Sequence, residues 1–144
     1  MRVDFYQLSE TPVEGALPAL TAKMRDAGAK VLVVSADDAQ RGRISEALWA
    51  PKGTFLAHGM AGSADDARQP ILLSNTLDAA NGARFLALAD GQWRSEAEAF
   101  ERVFLLFDNS TIDDARATWR SLDGRDEVER NYWRQEGKGW VKAA

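Results

Sequence analysis

Few side chains in this 144-residue sequence could do chemistry, and their spacing limits which chemistry. Three acidic pairs, Asp37-Asp38, Asp65-Asp66 and Asp113-Asp114, follow strand-like runs or open helices. In an α/β fold, carboxylates at the carboxyl ends of strands can hold magnesium for phosphoryl transfer. Acidic residues in a first helical turn also cap free N–H groups and are favoured by the helix dipole, which is the commoner use of such pairs. His58 is the sole histidine, and no partner at short spacing orients it as a general base, so a loop histidine bonded to backbone is the simpler reading. With no cysteine and one histidine, a zinc site is not expected. The sequence has no G-x-S-x-G elbow, no G-x-G-x-x-G after its first strand and no G-x-x-x-x-G-K-[ST]. Serine hydrolysis and the familiar nucleotide cradles therefore lack their parts. No catalytic residue, cofactor or metal is expected.

Recognition chemistry is better supplied. At about 100° per residue, Ile112, Ala115 and Leu122 share one arc of a helix and Arg116 and Arg120 the neighbouring arc, with Trp119 at their border. An amphipathic ring between two guanidinium groups suits a peptide ending in an aromatic side chain and a carboxylate. The same pattern arises if Trp119 is core and both arginines are a solvated face, and the sequence leaves both readings open. Leu48-Trp49-Ala50-Pro51, with Phe55 and His58 after it, reads as a rigid apolar knob beside a turn, a feature of protein–protein contacts. Trp49 and Phe55 are either core residues or an exposed patch for a partner.

The elements that must position these groups follow from periodicity. Val3–Leu8 is an apolar strand. Thr11-Pro12-Val13-Glu14 offers a cap, a first-turn proline and a capping-box glutamate. The helix it opens carries Val13, Ala16, Leu17, Leu20, Met24 and Ala27 on one face and ends at Gly28. Val31–Val34 is a continuous β-branched run suited to a strand buried on both faces. This strand–helix–strand unit predicts a right-handed crossover and a parallel sheet. Ser35 to Asp38 caps a second helix ending near Trp49, followed by a loop with extended pieces around Phe55-Leu56 and a polar connection at 65–69. Ile71–Ser74, Phe85–Leu88 and Val103–Phe107 are further strands, with a short helix over Ser95–Glu101. Ser110 or Thr111 caps a last helix to about Leu122, and a hairpin or extended tail follows from Tyr132. The expectation is one α/β domain over 1–144, with 124–144 as an extended or hairpin tail.

Bulk composition sets bounds. The chain is 45% hydrophobic and 28% charged, as in ordinary globular proteins. No apolar run approaches the ~20 residues that span a bilayer, and the N-terminus lacks a signal-peptide core. A cytoplasmic protein without membrane partners is expected. The net charge of −4 argues against broad nonspecific DNA binding. Residues 1–115 carry 11 basic and 17 acidic side chains, whereas residues 116–144 carry seven and five, so an anionic partner would dock on the last fifth.

Several blocks, taken in order, resemble one family. They are Val3-Asp4-Phe5-Tyr6-Gln7-Leu8, Lys30-Val31-Leu32-Val33, Glu46-Ala47-Leu48-Trp49, Phe55-Leu56-Ala57-His58-Gly59 with Gly62, Pro70-Ile71-Leu72-Leu73-Ser74, and Ala115-Arg116-Ala117-Thr118-Trp119-Arg120. In sequence and spacing they are similar to the chi subunit of bacterial DNA polymerase III. The resemblance implies a Rossmann-like, mononucleotide-binding-type α/β fold with a mostly parallel sheet flanked by helices and no nucleotide site. It also implies a noncatalytic bridge in DNA replication. One surface would bind the acidic C-terminal tail of single-stranded DNA-binding protein, which ends in phenylalanine. Another would bind the psi subunit of the clamp loader, and DNA contact would be mostly indirect. The tail site carries over onto Arg116, Trp119 and Arg120, with Leu105 as a pocket wall, and the psi-facing surface onto Trp49 and Phe55. Trp119 stands where the family often has tyrosine. Ile112 and Asp123 fall where related chains can present basic residues, and the segment 123–130 breaks the usual helix, so Arg125, Arg130 and Arg134 are candidates to compensate. The alternative from the residues alone is a small metal-dependent phosphoryl-transfer enzyme built on the acidic pairs.

Overall fold

A computed structural model describes residues 1–50, 56–137 and 139–144. In chain order the elements are β1 (Arg2–Gln7), α1 (Val13–Asp26), β2 (Val31–Val34), α2 (Asp38–Trp49), β3 (His58–Met60), β4 (Ile71–Ser74), β5 (Phe85–Leu88), β6 (Arg102–Phe107), α3 (Ile112–Ser121), β7 (Glu129–Glu136) and β8 (Gly139–Lys142). Short 3-10 helices occupy Asp66–Arg68 and Ser95–Ala99. The strands form one sheet in the order β3-β4-β2-β5-β6-β1-β7-β8. Every neighbouring pair is parallel except β7–β8, which is an antiparallel hairpin. This is the Rossmann-like, mostly parallel α/β architecture expected from the alternating pattern.

The sheet separates two apolar layers. Leu17, Leu20 and Met24 of α1 and Ile44 and Leu48 of α2 cover one face, over Tyr6, Val31, Val33, Phe104 and Leu106. Ala115 of α3 and the neighbouring Leu122 cover the other, over Val3, Phe5, Leu32, Val34, Val103, Leu105 and Phe107. Strands buried on both faces read as unbroken apolar runs, which is why β2, β4, β5 and β6 stand out in the sequence. α1 ends as anticipated: Gly28 adopts φ +80° and its N–H donates to the Arg25 carbonyl at 2.9 Å.

The strand–helix–strand unit lies in a parallel sheet as expected, with β5 and β6 placed between β1 and β2. Local pattern gives direction and burial but says nothing of which later strands insert. Thr11 does not cap α1. The N-cap is Pro12, without a side-chain cap, and the Thr11 hydroxyl instead accepts from Gln135 Nε2 at 2.9 Å. Gln135 Oε1 in turn accepts the N–H groups of Ser9, Glu10 and Thr11 at 3.2, 3.0 and 3.2 Å. Three consecutive N–H groups between β1 and α1 are where a phosphate would sit in a nucleotide-binding relative; here they converge on an amide oxygen from β7. The terminal hairpin expected from Tyr132 onward is present as β7–β8, though it starts earlier. β7 begins at Glu129 and lies beside β1 inside the sheet.

The tie between β1 and its neighbours is Asp4, fully buried. It accepts from Arg102 Nε of β6 at 2.9 Å and from Trp133 Nε1 of β7 at 3.0 Å, and it pairs with Arg2 at 3.2 Å. A buried carboxylate so engaged strands its partners when removed. Asp4→Ala is expected to lower stability by about 3 kcal/mol, the low end for breaking a buried pair, because both arginines retain solvent contact; urea unfolding checks it.

Asp90 makes a second such knot at the end of β5. Burial alone would raise its carboxyl, but Arg94, at 2.8 Å through two nitrogens, and the N–H groups of Ala36 and Gln92 outweigh it and hold it below the usual carboxylate range. A carboxyl depressed by folding adds stability above its unfolded value, about 3.9, and that contribution fades as pH falls through the folded value. Asp90→Asn should therefore be less stable than the parent at pH 7, with the gap closing below about pH 4, as thermal melts across pH would show.

Candidate peptide-docking surface on the last helix

α3 is amphipathic, and its two sides have different fates. Ala115 and Leu122, just past the helix end, are buried, Ile112 and Trp119 are half-buried against the sheet, and Arg116 and Arg120 are exposed. Neither arginine forms an ion pair with a described residue. The helix thus brings together the three residues singled out from spacing.

Trp119 is held on three sides. Its ring meets Phe5 of β1 edge-to-face at 5.1 Å and Tyr132 of β7 at 5.7 Å. The guanidinium of Arg130 lies 4.1 Å from the ring centroid. Arg130 also donates to the Trp119 carbonyl at 2.6 Å and to Asp123 Oδ1 at 2.9 Å. Trp119 is therefore both a core residue and a partly exposed ring, and one cation already lies over it. Tyr132 donates its hydroxyl to Gln7 Oε1 at 2.6 Å. Burial raises its phenol, and the nearby positive charges of Arg116 and Arg134 temper the rise.

The arginines whose places the sequence could not fix now separate. Arg130 joins the Trp119 site, and Arg134 stands near Tyr132, 4.0 Å from Glu136. Arg125 is held elsewhere, by Glu98 at 2.5 Å and Glu127 at 2.7 Å. Leu105 has no exposed surface. It belongs to the apolar layer against which Trp119 packs. Arg130 is one of the three arginines the sequence offers, whereas Tyr132 carries no such mark because its strand is polar in sequence; the signal is the aromatic pair Tyr132-Trp133, whose members point to opposite faces.

The second surface is at the other end of the sheet. Trp49, the last residue of α2, is 56% exposed, and its ring lies 4.5 Å from that of His58 on the edge strand β3. Phe55 lies outside the described residues. His58 is tied to backbone as anticipated, though in β3 rather than a loop: Nδ1 bonds the Leu56 carbonyl at 2.8 Å, which leaves Nε2 to accept from the Ser45 hydroxyl at 2.9 Å. The serine of that pair sits in mid-helix, where backbone N–H groups are committed to the preceding turn and cannot form an oxyanion hole.

The acidic pairs are mostly engaged in local contacts. Asp37 caps α2 through the Ala39 N–H at 2.9 Å, and Asp38 pairs with Arg41. Asp66 accepts from the N–H groups of Gly62 and Ser63 at 2.8 and 3.0 Å, which hold its carboxyl below the usual range. Asp114 accepts from Gln92 Nε2 at 2.9 Å. Among the described residues, no three acidic, histidine or cysteine side chains gather as a metal site.

Removing the cation over Trp119 should cost more than removing an exposed one. Arg130→Ala is expected to lower stability by about 1 kcal/mol, and Arg120→Ala by no more than about 0.5 kcal/mol; denaturant unfolding of both variants checks the difference.

No curated relative matches the chain. The family model for the DNA polymerase III chi subunit, HolC, matches residues 1–128. The matched stretch takes in β1 through α3 and stops one residue before β7. Most of the chain is covered, and the blocks that carried the resemblance all lie within the match. The chain belongs to the DNA polymerase III chi subunit family, and its role is that of a polymerase accessory subunit in DNA replication.

Proposed function

We propose that this protein is a noncatalytic adaptor whose α3 surface binds the acidic, phenylalanine-ending tail of single-stranded DNA-binding protein. The observation that carries the reading is the arrangement around Trp119: a half-exposed ring with Arg130 over it, and Arg116 and Arg120 free of ion pairs with described residues on the same helix. The ring packs the terminal aromatic group, and the guanidinium groups take the carboxylates through charge-assisted bonds. Arg130 and Arg134 supply positive charge where Ile112 and Asp123 do not. The protein acts as one domain in the cytoplasm, meets DNA mainly through its partner and needs no cofactor. The Trp49 end, with Phe55, faces a psi-type clamp-loader subunit where one is present, so that the two surfaces form the bridge.

A labelled acidic peptide ending in Phe, with its terminus free or amidated, tests this. Saturable binding should weaken with salt, fall about tenfold in Arg120→Ala, as expected for one lost charge-assisted contact, and fall further on amidation. Binding indifferent to Arg120→Ala and to amidation would refute the α3 site.

A further inference from the structure

The opposite face of the sheet holds a cavity that the tail-binding reading does not use. It has a volume of about 440 Å³ and lies between the second half of α1 and the β7–β8 hairpin. Its floor and walls are aromatic. Tyr6 stacks on Phe104 at 5.9 Å and on Trp133 at 6.3 Å, and Trp140 of β8 meets Tyr6 edge-on at 4.9 Å. Two cations complete it, Lys23 of α1 and Arg102 of β6, and no acidic residue among the described ones lines it.

The donors facing the cavity are uncommitted. Asp4 engages Arg102 through Nε alone and the ring of Phe104 lies 4.5 Å from its guanidinium carbon, so both terminal nitrogens make no hydrogen bond with a described residue. Lys23 has no ion pair with a described residue. Tyr6 lines the cavity and is only 7% exposed, and its side chain makes no hydrogen bond with a described residue. Burial, and the negative Asp4 beside it, push that phenol up to about 12, so it remains a donor at any working pH. A flat apolar slot with a few convergent donors is how small-molecule sites are built.

We propose that this cavity binds a small, free aromatic carboxylate, its ring between Tyr6, Trp133 and Trp140 and its acid group at Lys23 and Arg102. Asp4 already answers one of the cations from behind, so the net charge offered is close to one. That suits a single carboxylate better than a phosphomonoester dianion. The volume accommodates one fused ring system. Trp133, Gly139 and Trp140 come from the hairpin beyond residue 128, so the cavity is completed by residues outside the family match.

The probe is 2-naphthoate, titrated by calorimetry against the full chain, with 2-naphthamide and 2-naphthyl phosphate as comparisons. Naphthoate should bind saturably, and the amide at least tenfold more weakly. Arg102→Gln should lose at least tenfold in affinity. Since Arg102 also holds Asp4, the exposed Lys23→Gln is the variant that leaves folding untouched, and it should lose at least threefold. Arg120→Ala, on the other face, should bind naphthoate as the parent does. No binding, equal binding of the amide, tighter binding of the phosphate, parental affinity in Lys23→Gln, or loss in Arg120→Ala would each overturn the assignment. None of these results depends on whether α3 binds a peptide.

Discussion

The buried carboxylate of Asp4 is the contact on which the rest of the molecule depends. A charge with no solvent exposure survives in a sheet only where its partners are fixed, and here they come from three places: Arg2 on its own strand, Arg102 on β6 and the indole of Trp133 on β7. β1 is thereby bound on both edges by more than its ladder. This matters most for β7, whose sequence, Glu-Arg-Asn-Tyr-Trp-Arg-Gln-Glu, would not by itself seek the interior of a parallel sheet. A single indole hydrogen bond and a stacked tyrosine commit it there. Once β7 is placed, Gln135 reaches the turn before α1, and Tyr132 and Arg130 reach α3.

Strand alternation then divides the work. Phe5 points toward α3 and sets the depth of Trp119, while Asp4 and Tyr6 point toward α1, where the Tyr6 ring lines the aromatic cavity. One six-residue strand therefore underlies both proposed binding faces. The turn that follows it, where a nucleotide-binding member of this architecture would cradle phosphate, is closed by the Gln135 amide. The architecture of a mononucleotide site is kept, and its donors serve to fasten the two ends of the chain together.

The sequence was most readable where burial is two-sided. Val31–Val34, Ile71–Ser74, Phe85–Leu88 and Val103–Phe107 are continuous apolar runs and lie where their pattern says. β3 was not readable as a strand, since three residues that include a glycine and are only partly buried carry no period. β7 was only half readable, because its buried polar residues Asn131 and Gln135 are satisfied by hydrogen bonds rather than by hydrophobicity. The Thr11 cap failed for a related reason: its competitor lies 124 residues away. At the site, Arg116, Trp119 and Arg120 follow from helical spacing alone. Arg130 does not, because the cation arrives from a strand eleven residues later, and no local pattern links it to the ring it covers.

The chain is thus a polymerase accessory subunit, and the recognition surface proposed for it is α3, where an aromatic stack lies beside two guanidinium groups that pair with no described residue. The most direct test is side-chain NMR of the ¹⁵N-labelled protein titrated with the acidic peptide, following arginine Nε and indole Nε1 signals. The account predicts progressive shifts at Arg116, Trp119, Arg120 and Arg130, with Arg102 and Trp140 unmoved. Shifts confined to Arg102, Trp133 and Trp140, or no shifts at saturating peptide, would contradict it.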